Sequence, residues 1–216
     1  MIRNLFLLLR PADLLNFLFL LFLTSITVIF RIKIDGASYL VLLYSGLILV
    51  QALLIVFRDK NGLSRWSYDL IFPVLCILIV FDSLGRIVHS VNPVDIDPVL
   101  IRLDFILFGV NPTVALEKIM SPVLTDLLQL AYTSYYLLPV TLGIVLKVRR
   151  QEEAFDRSLF MIMLCFYISY IGYLLFPAIG PRFTLSHLQH VPLKGLLVAG
   201  PIQNLLNWLE GVKRDA

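Results

Sequence analysis

The stretch YLLFPAIGPRFTLSH (residues 173–187) ends a long apolar run in a stiffened loop. Its two prolines restrict the backbone, and Gly180 between them allows the chain to turn. The preceding run, Asp156–Phe176, is long enough to cross a bilayer as a helix. The stretch therefore predicts a membrane span followed by a rigid loop that holds Arg182 at the membrane surface.

The composition of the whole chain places most of it in lipid. Of the 216 residues, 59% are hydrophobic and only 15% are charged, against about 25% charged in ordinary soluble domains. The mean hydropathy is +0.87. The net charge is only +3, and there is no basic arm with interleaved aromatic residues, so we do not expect a nucleic-acid partner. Cys76 and Cys165 both lie in apolar runs and are expected to pack as small hydrophobic residues.

The hydropathy pattern predicts an all-α fold, a polytopic transmembrane helix bundle with about five spans and short interfacial helices. We interpret residues 1–216 as a single membrane domain, with two N-terminal spans in residues 1–66 and the later spans in residues 67–216. The first span is expected to remain uncleaved. The expected spans are Asp13–Phe30, Ala37–Phe57, Tyr68–Val88, Pro122–Leu146 and Asp156–Phe176.

Lysine and arginine counts in the connections predict the orientation. Nine of them fall on the side of the N-terminus, and five fall on the other side. We therefore expect an integral membrane protein with a cytoplasmic N-terminus. The connection after the third span and the loop carrying Arg182 then share the extracytoplasmic or lumenal face. The nine are Arg3, Arg10, Arg58, Lys60, Arg65, Lys147, Arg149, Arg150 and Arg157; the five are Arg31, Lys33, Arg86, Arg102 and Lys118.

The long third connection repeats one pattern that is typical of helix starts. A capping residue precedes proline at Asp97-Pro98, at Asn111-Pro112 and at Ser121-Pro122. The pattern predicts two short helices, about Pro98–Phe108 and Pro112–Met120, before the fourth span. Because the first of them is largely apolar, we expect it to lie in the membrane interface as a roof over the bundle.

Asp82, Arg86 and His89 share one helical face at the outer end of the third span. Ionisable groups at membrane depth usually face a bundle interior or a wet cavity. Asp82 and Arg86 are thus candidates for a cavity or for a supporting role beside a site. A structural ion pair where the helix leaves the membrane explains the same pattern equally well.

A polar stripe along the fourth span also has two interpretations. Asp126, Gln129, Thr133 and Tyr136 recur at helical spacing, so they either line a cavity or hydrogen-bond between helices, and the second reading is favoured. The His187 and His190 pair has no cysteine or acidic partner nearby, so no metal is expected there. The chain has no motif for a nucleotide or another cofactor.

Arg182 is the strongest candidate for binding an anion. The ten residues on either side of it contain no acidic residue. Its planar guanidinium suits a phosphate group, which it can bind through two oxygens. Ordinary contact with lipid headgroups would explain an interfacial arginine as well.

Four stretches of the chain together carry a family resemblance: FDSLGR (Phe81–Arg86), DFILFGVNPT (Asp104–Thr113), AYTSYYLLP (Ala131–Pro139) and FPAIGPRF (Phe176–Phe183). Their order and spacing resemble the type 2 phosphatidic acid phosphatase superfamily, and especially its inositol phosphorylceramide synthase-like branch. FPAIGPRF is similar to the F-P-x-x-x-P-R-[FLY] element of that family. The resemblance covers the N-terminal part of the family core, from Phe81 onward.

The resemblance implies a mechanism that this chain carries only in part. In the family, a histidine in P-S-G-H protonates the leaving group, a second histidine in S-R-x5-H-x3-D attacks phosphorus, and basic side chains hold the phosphate oxygens. Neither histidine motif occurs in the 216 residues. Leu175 and Phe183 also stand where the family's first motif often has lysine and proline. The resemblance therefore assigns Arg182 as a phosphate ligand, assigns no catalytic residue, and leaves the role of Asp215 undefined.

Two functions follow from these observations. The leading hypothesis is a membrane-embedded phosphatase or phosphotransferase acting on a lipid phosphate or an isoprenoid phosphate, of which we expect this chain to be an incomplete part. The alternative is a non-catalytic membrane protein that binds anionic lipid or a partner through the same loop. Membrane lipids are the expected partners in both cases.

Overall fold

A computed structural model describes residues 9–58 and 60–188, with the backbone alone for Arg182. The residues it describes form helices and no strands. The elements are α1 (Pro11–Ile29), α2 (Ala37–Phe57), α3 (Gly62–Val91), α4 (Asp97–Phe108), α5 (Pro112–Ala115, continued as a 3-10 turn over Leu116–Ile119), α6 (Pro122–Val148), α7 (Glu152–Leu175) and α8 (Pro181–Thr184, followed by a 3-10 turn over Ser186–Leu188).

The predicted all-α membrane fold is confirmed. In the described part of the chain, five helices (α1, α2, α3, α6 and α7) are long and apolar enough to cross a membrane. The largest difference from the prediction is the start of α3, at Gly62 instead of Tyr68. The Asn61 side chain accepts a hydrogen bond from the Ser64 amide at 2.7 Å and so begins the helix early. A π-helical segment, Ser67–Ile71, then continues into the long apolar part.

The chain divides into two compact units. Unit 1 extends to Val91 and also includes Pro139–Leu175, and unit 2 includes Asn92–Leu138 and the residues from Phe176 onward. The division falls inside α6 at Pro139, which removes one backbone donor from the helix. The interpretation of the chain as a single domain stays a prediction.

Helices α1, α2, α3 and α7 form the core of unit 1. Leu20, Tyr44 and Val80 are completely buried there. The Phe19 ring stacks on Tyr167 with ring centroids 4.1 Å apart. These contacts join helices that are far apart in the sequence, and close packing of this kind is what holds helices together in lipid.

A buried polar cluster around Asn16 crosses the same core. The Asn16 amide donates to the Gln51 side chain at 2.8 Å. The Asn16 oxygen accepts from the Tyr167 hydroxyl and from the Cys76 thiol. One asparagine on α1 therefore binds side chains from α2, α3 and α7. Such bonds fix which faces meet, because apolar surfaces alone do not select a register in lipid.

Arg10, just before α1, ties together the ends of several helices of unit 1. Its guanidinium contacts Asp69 at 2.8 Å and Asp156 at 3.2 Å, and it lies 3.9 Å from the centre of the Tyr68 ring. Burial by itself would lower the pKa of Arg10, but Tyr68 and the neighbouring carboxylates raise it above its usual value. Arg10 is therefore a permanent cation in this cluster.

Lys147 near the end of α6 extends the ion-pair cluster. Its ammonium group lies 2.5 Å from Asp69 and 2.6 Å from Glu152. Arg65 also contacts Glu152, at 3.0 Å. Asp69 also pairs with Arg65, at 3.8 Å, so three cations of the described residues share it. Residues from or next to α1, α3, α6 and α7 are therefore joined at one charged centre.

Unit 2 contains the short helices that the sequence predicted, but only one of the three proposed caps forms as expected. Ser121 accepts a bond from the Leu124 amide at 3.3 Å. Asn111 makes no side-chain capping bond. Asp97 is the first residue of α4 rather than its cap, because its carboxylate is engaged elsewhere. The axes of two consecutive segments, Asp97–Phe108 and Pro112–Ile119, differ in direction by 60°. Gly109, at the break between them, has a φ of +71°.

The loop between α7 and α8 turns at Gly180. Its φ of +97° lies in a region that residues with a side chain rarely adopt. The Gly180 carbonyl then accepts bonds from the amides of Phe183 and Thr184. The short helix α8 therefore begins from a backbone conformation that glycine adopts most readily.

We predict that Arg10→Leu destabilises the protein by about 3 kcal/mol, because removing one partner from a buried ion pair leaves its carboxylates undercompensated. The control is Arg149→Leu, at an exposed position, which should change stability by less than about 0.5 kcal/mol. Denaturant unfolding in detergent, followed by circular dichroism, measures both. Equal stability of the two variants would contradict a stabilising role for Arg10.

We predict that Gly180→Ala opens the start of α8. Strain at a positive φ costs roughly 1–3 kcal/mol, so amide exchange at Phe183–Leu185 should speed up by about 5- to 150-fold. A Cβ at Gly180 would meet nothing within 4 Å, so the effect tests backbone strain alone. Gly172→Ala in α7 also has open space for its Cβ and serves as the control. Unchanged exchange in the Gly180 variant would show that the turn carries no strain.

Candidate functional site

Asp97 binds the backbone of the loop that carries Arg182. The Ile179 amide donates to one carboxylate oxygen of Asp97 at 2.8 Å, and the Gly180 amide donates to the other at 2.7 Å. The Asp97 side chain is almost fully buried, since the residue is only 3% exposed. Bonds from an amide to a carboxylate are stronger than bonds between neutral groups. A single side chain therefore fixes two consecutive peptide groups of the loop.

A backbone contact supports the same arrangement. The Ile96 amide donates to the Pro177 carbonyl at 2.8 Å, and Pro177 is fully buried. The start of α4 and the loop are thus joined by three hydrogen bonds from two adjacent residues, Ile96 and Asp97. Each proline of the loop also fixes one φ angle. The loop is consequently held from outside by α4 and stiffened from inside by its own residues.

Arg182 follows this fixed segment directly. Its backbone lies in α8, after Pro181 in the first helical position. The Thr184 hydroxyl donates to the Gly180 carbonyl at 3.1 Å, which adds a side-chain bond across the turn. These contacts therefore fix the backbone position of Arg182. The phosphate contact of its side chain stays a prediction.

The residues around Arg182 present an apolar surface. Phe176, Ile179 and Phe183 all have exposed side chains. Large apolar groups beside a charged residue suit the boundary between acyl chains and headgroups. The backbone of Arg182 is therefore flanked by exposed apolar side chains.

Two of the other predicted site residues, Asp82 and Arg86, lie in unit 1, where they form no ion pair among the described residues. The Arg86 guanidinium instead lies 5.6 Å from the centre of the Tyr39 ring. Their role beside a cavity stays a prediction. Asp215 and His190 lie outside the described residues.

The polar stripe of α6 bonds partly along its own helix. The Thr133 hydroxyl donates to the Gln129 carbonyl at 2.8 Å, and the hydroxyls of Tyr132 and Tyr136 lie 3.0 Å apart. Both bonds lie within α6, and the favoured interpretation of the stripe, hydrogen bonds between helices, stays a prediction. In the described part of the chain, no group of three or more His, Cys, Asp or Glu side chains is placed to hold a metal.

Sequence reasoning missed the role of Asp97. The Asp-Pro pair is a common helix start, so the aspartate was assigned to its own helix. Its actual partners, Ile179 and Gly180, lie 82 and 83 residues later. One feature of the sequence pointed toward this contact. No acidic residue lies within ten positions of Arg182, so any carboxylate that binds the loop must come from a distant part of the chain.

Comparisons with known proteins identify the family. The family model described as the PAP2 superfamily matches residues 100–210, slightly more than half of the chain. No curated protein and no solved structure matched the chain in the corresponding searches. The match includes α5, α6, α7 and the loop carrying Arg182. On this evidence the chain belongs to the PAP2 superfamily.

Proposed function

We propose that this protein binds the phosphate group of a membrane lipid, as part of a phosphatase or phosphotransferase that acts on lipid phosphates. Membership of the PAP2 superfamily supports phosphatase-type chemistry on such substrates. The observation that carries the proposal is the fixed loop before Arg182, held by Asp97 and by the Ile96 backbone.

Arginine is suited to this role by its chemistry. It keeps its charge at any working pH and can contact two phosphate oxygens at once. Because the loop is held before the ligand arrives, little ordering is needed on binding. The exposed Phe176, Ile179 and Phe183 would contact the apolar part of the same lipid. We propose a lipid phosphate or an isoprenoid phosphate as the ligand, since both join a phosphate to a long apolar chain.

The resemblance to the inositol phosphorylceramide synthase-like branch extends this proposal to transfer of a phosphate-linked head group. Hydrolysis and transfer both require a cation that binds the phosphate oxygens. We assign this role to Arg182. We assign no residue of the 216 as nucleophile or general acid, because the family's two histidine motifs do not occur among them.

We predict that Arg182→Ala weakens binding of a phosphate ligand by about 10- to 150-fold, because a hydrogen bond to a charged group contributes on the order of 1.5–3 kcal/mol. Arg182→Lys should recover part of the attraction but not the two-oxygen geometry. The measurement is titration of the detergent-purified protein with dihexanoyl phosphatidic acid at fixed ionic strength.

Arg102→Ala is the control for this titration. Arg102 is an exposed arginine on α4 and lies outside the proposed site, so its loss should change the affinity by less than about twofold, as a screened surface charge does. A similar small loss of affinity in both alanine variants would show that Arg182 is an ordinary headgroup contact. That result would favour the alternative function, a non-catalytic protein that binds anionic lipid.

We also propose that the N-terminus is cytoplasmic and that the loop carrying Arg182 faces the extracytoplasmic or lumenal side. Single cysteines at Val94 and Gln151, in a chain whose Cys76 and Cys165 are replaced by serine, test this in intact cells. An impermeant thiol reagent should label the Val94 position and spare the Gln151 position. Labelling of the Gln151 position with protection of Val94 would reverse the orientation.

A further inference from the structure

We propose that Asp97 is a positioning residue for Arg182, acting through the peptide groups of Ile179 and Gly180. It has this role only if Arg182 binds phosphate as proposed above. Asp97 would not touch the ligand. Its carboxylate would set the direction of the backbone from which Arg182 projects.

The first support is the way the carboxylate is used. Each of its oxygens accepts one backbone amide, at 2.8 and 2.7 Å, and the residue is 3% exposed. Only an ionised carboxylate offers two acceptor atoms and no donor. An asparagine of the same shape would offer one acceptor and place its amino group against an amide donor.

The second support is the position of these two bonds. Gly180 is the turning point at φ +97°, and Arg182 follows two residues later in α8. A change of direction at Gly180 would swing everything that follows it. Gly180 has many other conformations available to it, so a bond to its amide selects one of them.

The third support is electrostatic. A carboxylate near a phosphate site would repel the ligand if its charge were unpaired. The two amide donors of Asp97 reduce this repulsion, because peptide dipoles compensate its negative charge locally. Asp97 can therefore shape the loop without strongly opposing an anionic ligand.

The test is a double-mutant cycle between Asp97→Asn and Arg182→Ala, read by titration with dihexanoyl phosphatidic acid. Asp97→Asn alone should weaken binding about tenfold, as expected if the loop spends about a tenth of its time in the binding conformation. In the Arg182→Ala chain the same change should matter by less than about twofold, because no arginine remains to be positioned.

Asp104→Asn, on the same helix, is the matched control for loss of a negative charge and should change the affinity by less than about twofold. An equal weakening by Asp97→Asn with and without Arg182 would overturn the proposal, since it would show a general effect on folding. An unchanged affinity in the single variant would also overturn it.

Amide hydrogen exchange provides a readout that does not depend on phosphate binding. Ile179 and Gly180 should be protected in the unaltered protein and should exchange about tenfold faster or more after Asp97→Asn. If Arg182→Ala leaves binding unchanged, the proposed function fails, and this inference fails with it even where exchange shows that Asp97 holds the loop. If Asp97→Asn does not fold, rapid exchange of both amides in the unaltered protein would still refute the proposal.

Discussion

The ion pairing of Arg10, above all with the buried Asp69, is the interaction on which the rest of unit 1 depends. In lipid, apolar helix surfaces gain little by leaving the solvent, because the acyl chains are as apolar as the side chains. Something other than hydrophobicity must choose which helices meet. Arg10 does so by contacting Asp69 of α3 and Asp156 of α7.

Charged groups at the ends of spans can also be solvated by water and lipid headgroups. Here they pair with one another instead. Asp69 binds both Arg10 and Lys147. Removing either cation would leave the buried Asp69 carboxylate less well compensated, which costs stability. The Asn16 cluster acts in a similar way deeper in the helices, with partners on α2, α3 and α7. The polar residues of α1 therefore specify its neighbours, and its apolar residues then complete the packing.

Unit 2 uses the same principle on a smaller scale. One buried carboxylate, that of Asp97, organises a loop whose own residues are mostly apolar. A short loop without such a bond would sample many conformations, and a ligand would have to select one of them at a cost in affinity. The proposed phosphate site thus depends on order imposed before binding. This is consistent with a family whose chemistry relies on placing fixed positive charge around a phosphate group.

Much of the fold could be predicted from the sequence because lipid imposes a simple rule. A span must be long and apolar, so the five spanning helices were identified with their ends only a few residues in error. The family, too, was recognisable from local stretches such as FPAIGPRF, because proline restricts the backbone and glycine permits a turn wherever they occur. These are properties of residues close together in the chain, and a sequence displays them directly.

The sequence by itself therefore determined the helical class, the approximate spans, the stiff loop and the presence of Arg182 in it. Only the tertiary structure decided the partners of the polar residues. Asp97 was expected to cap α4 but binds Ile179 and Gly180. A structural ion pair of Asp82 with Arg86 was one of two interpretations, and the Arg86 guanidinium lies near the Tyr39 ring. The reason is that a carboxylate can accept from any donor brought within about 3 Å. Which donor arrives is settled by the packing of segments up to 83 residues apart, and no local pattern records that choice.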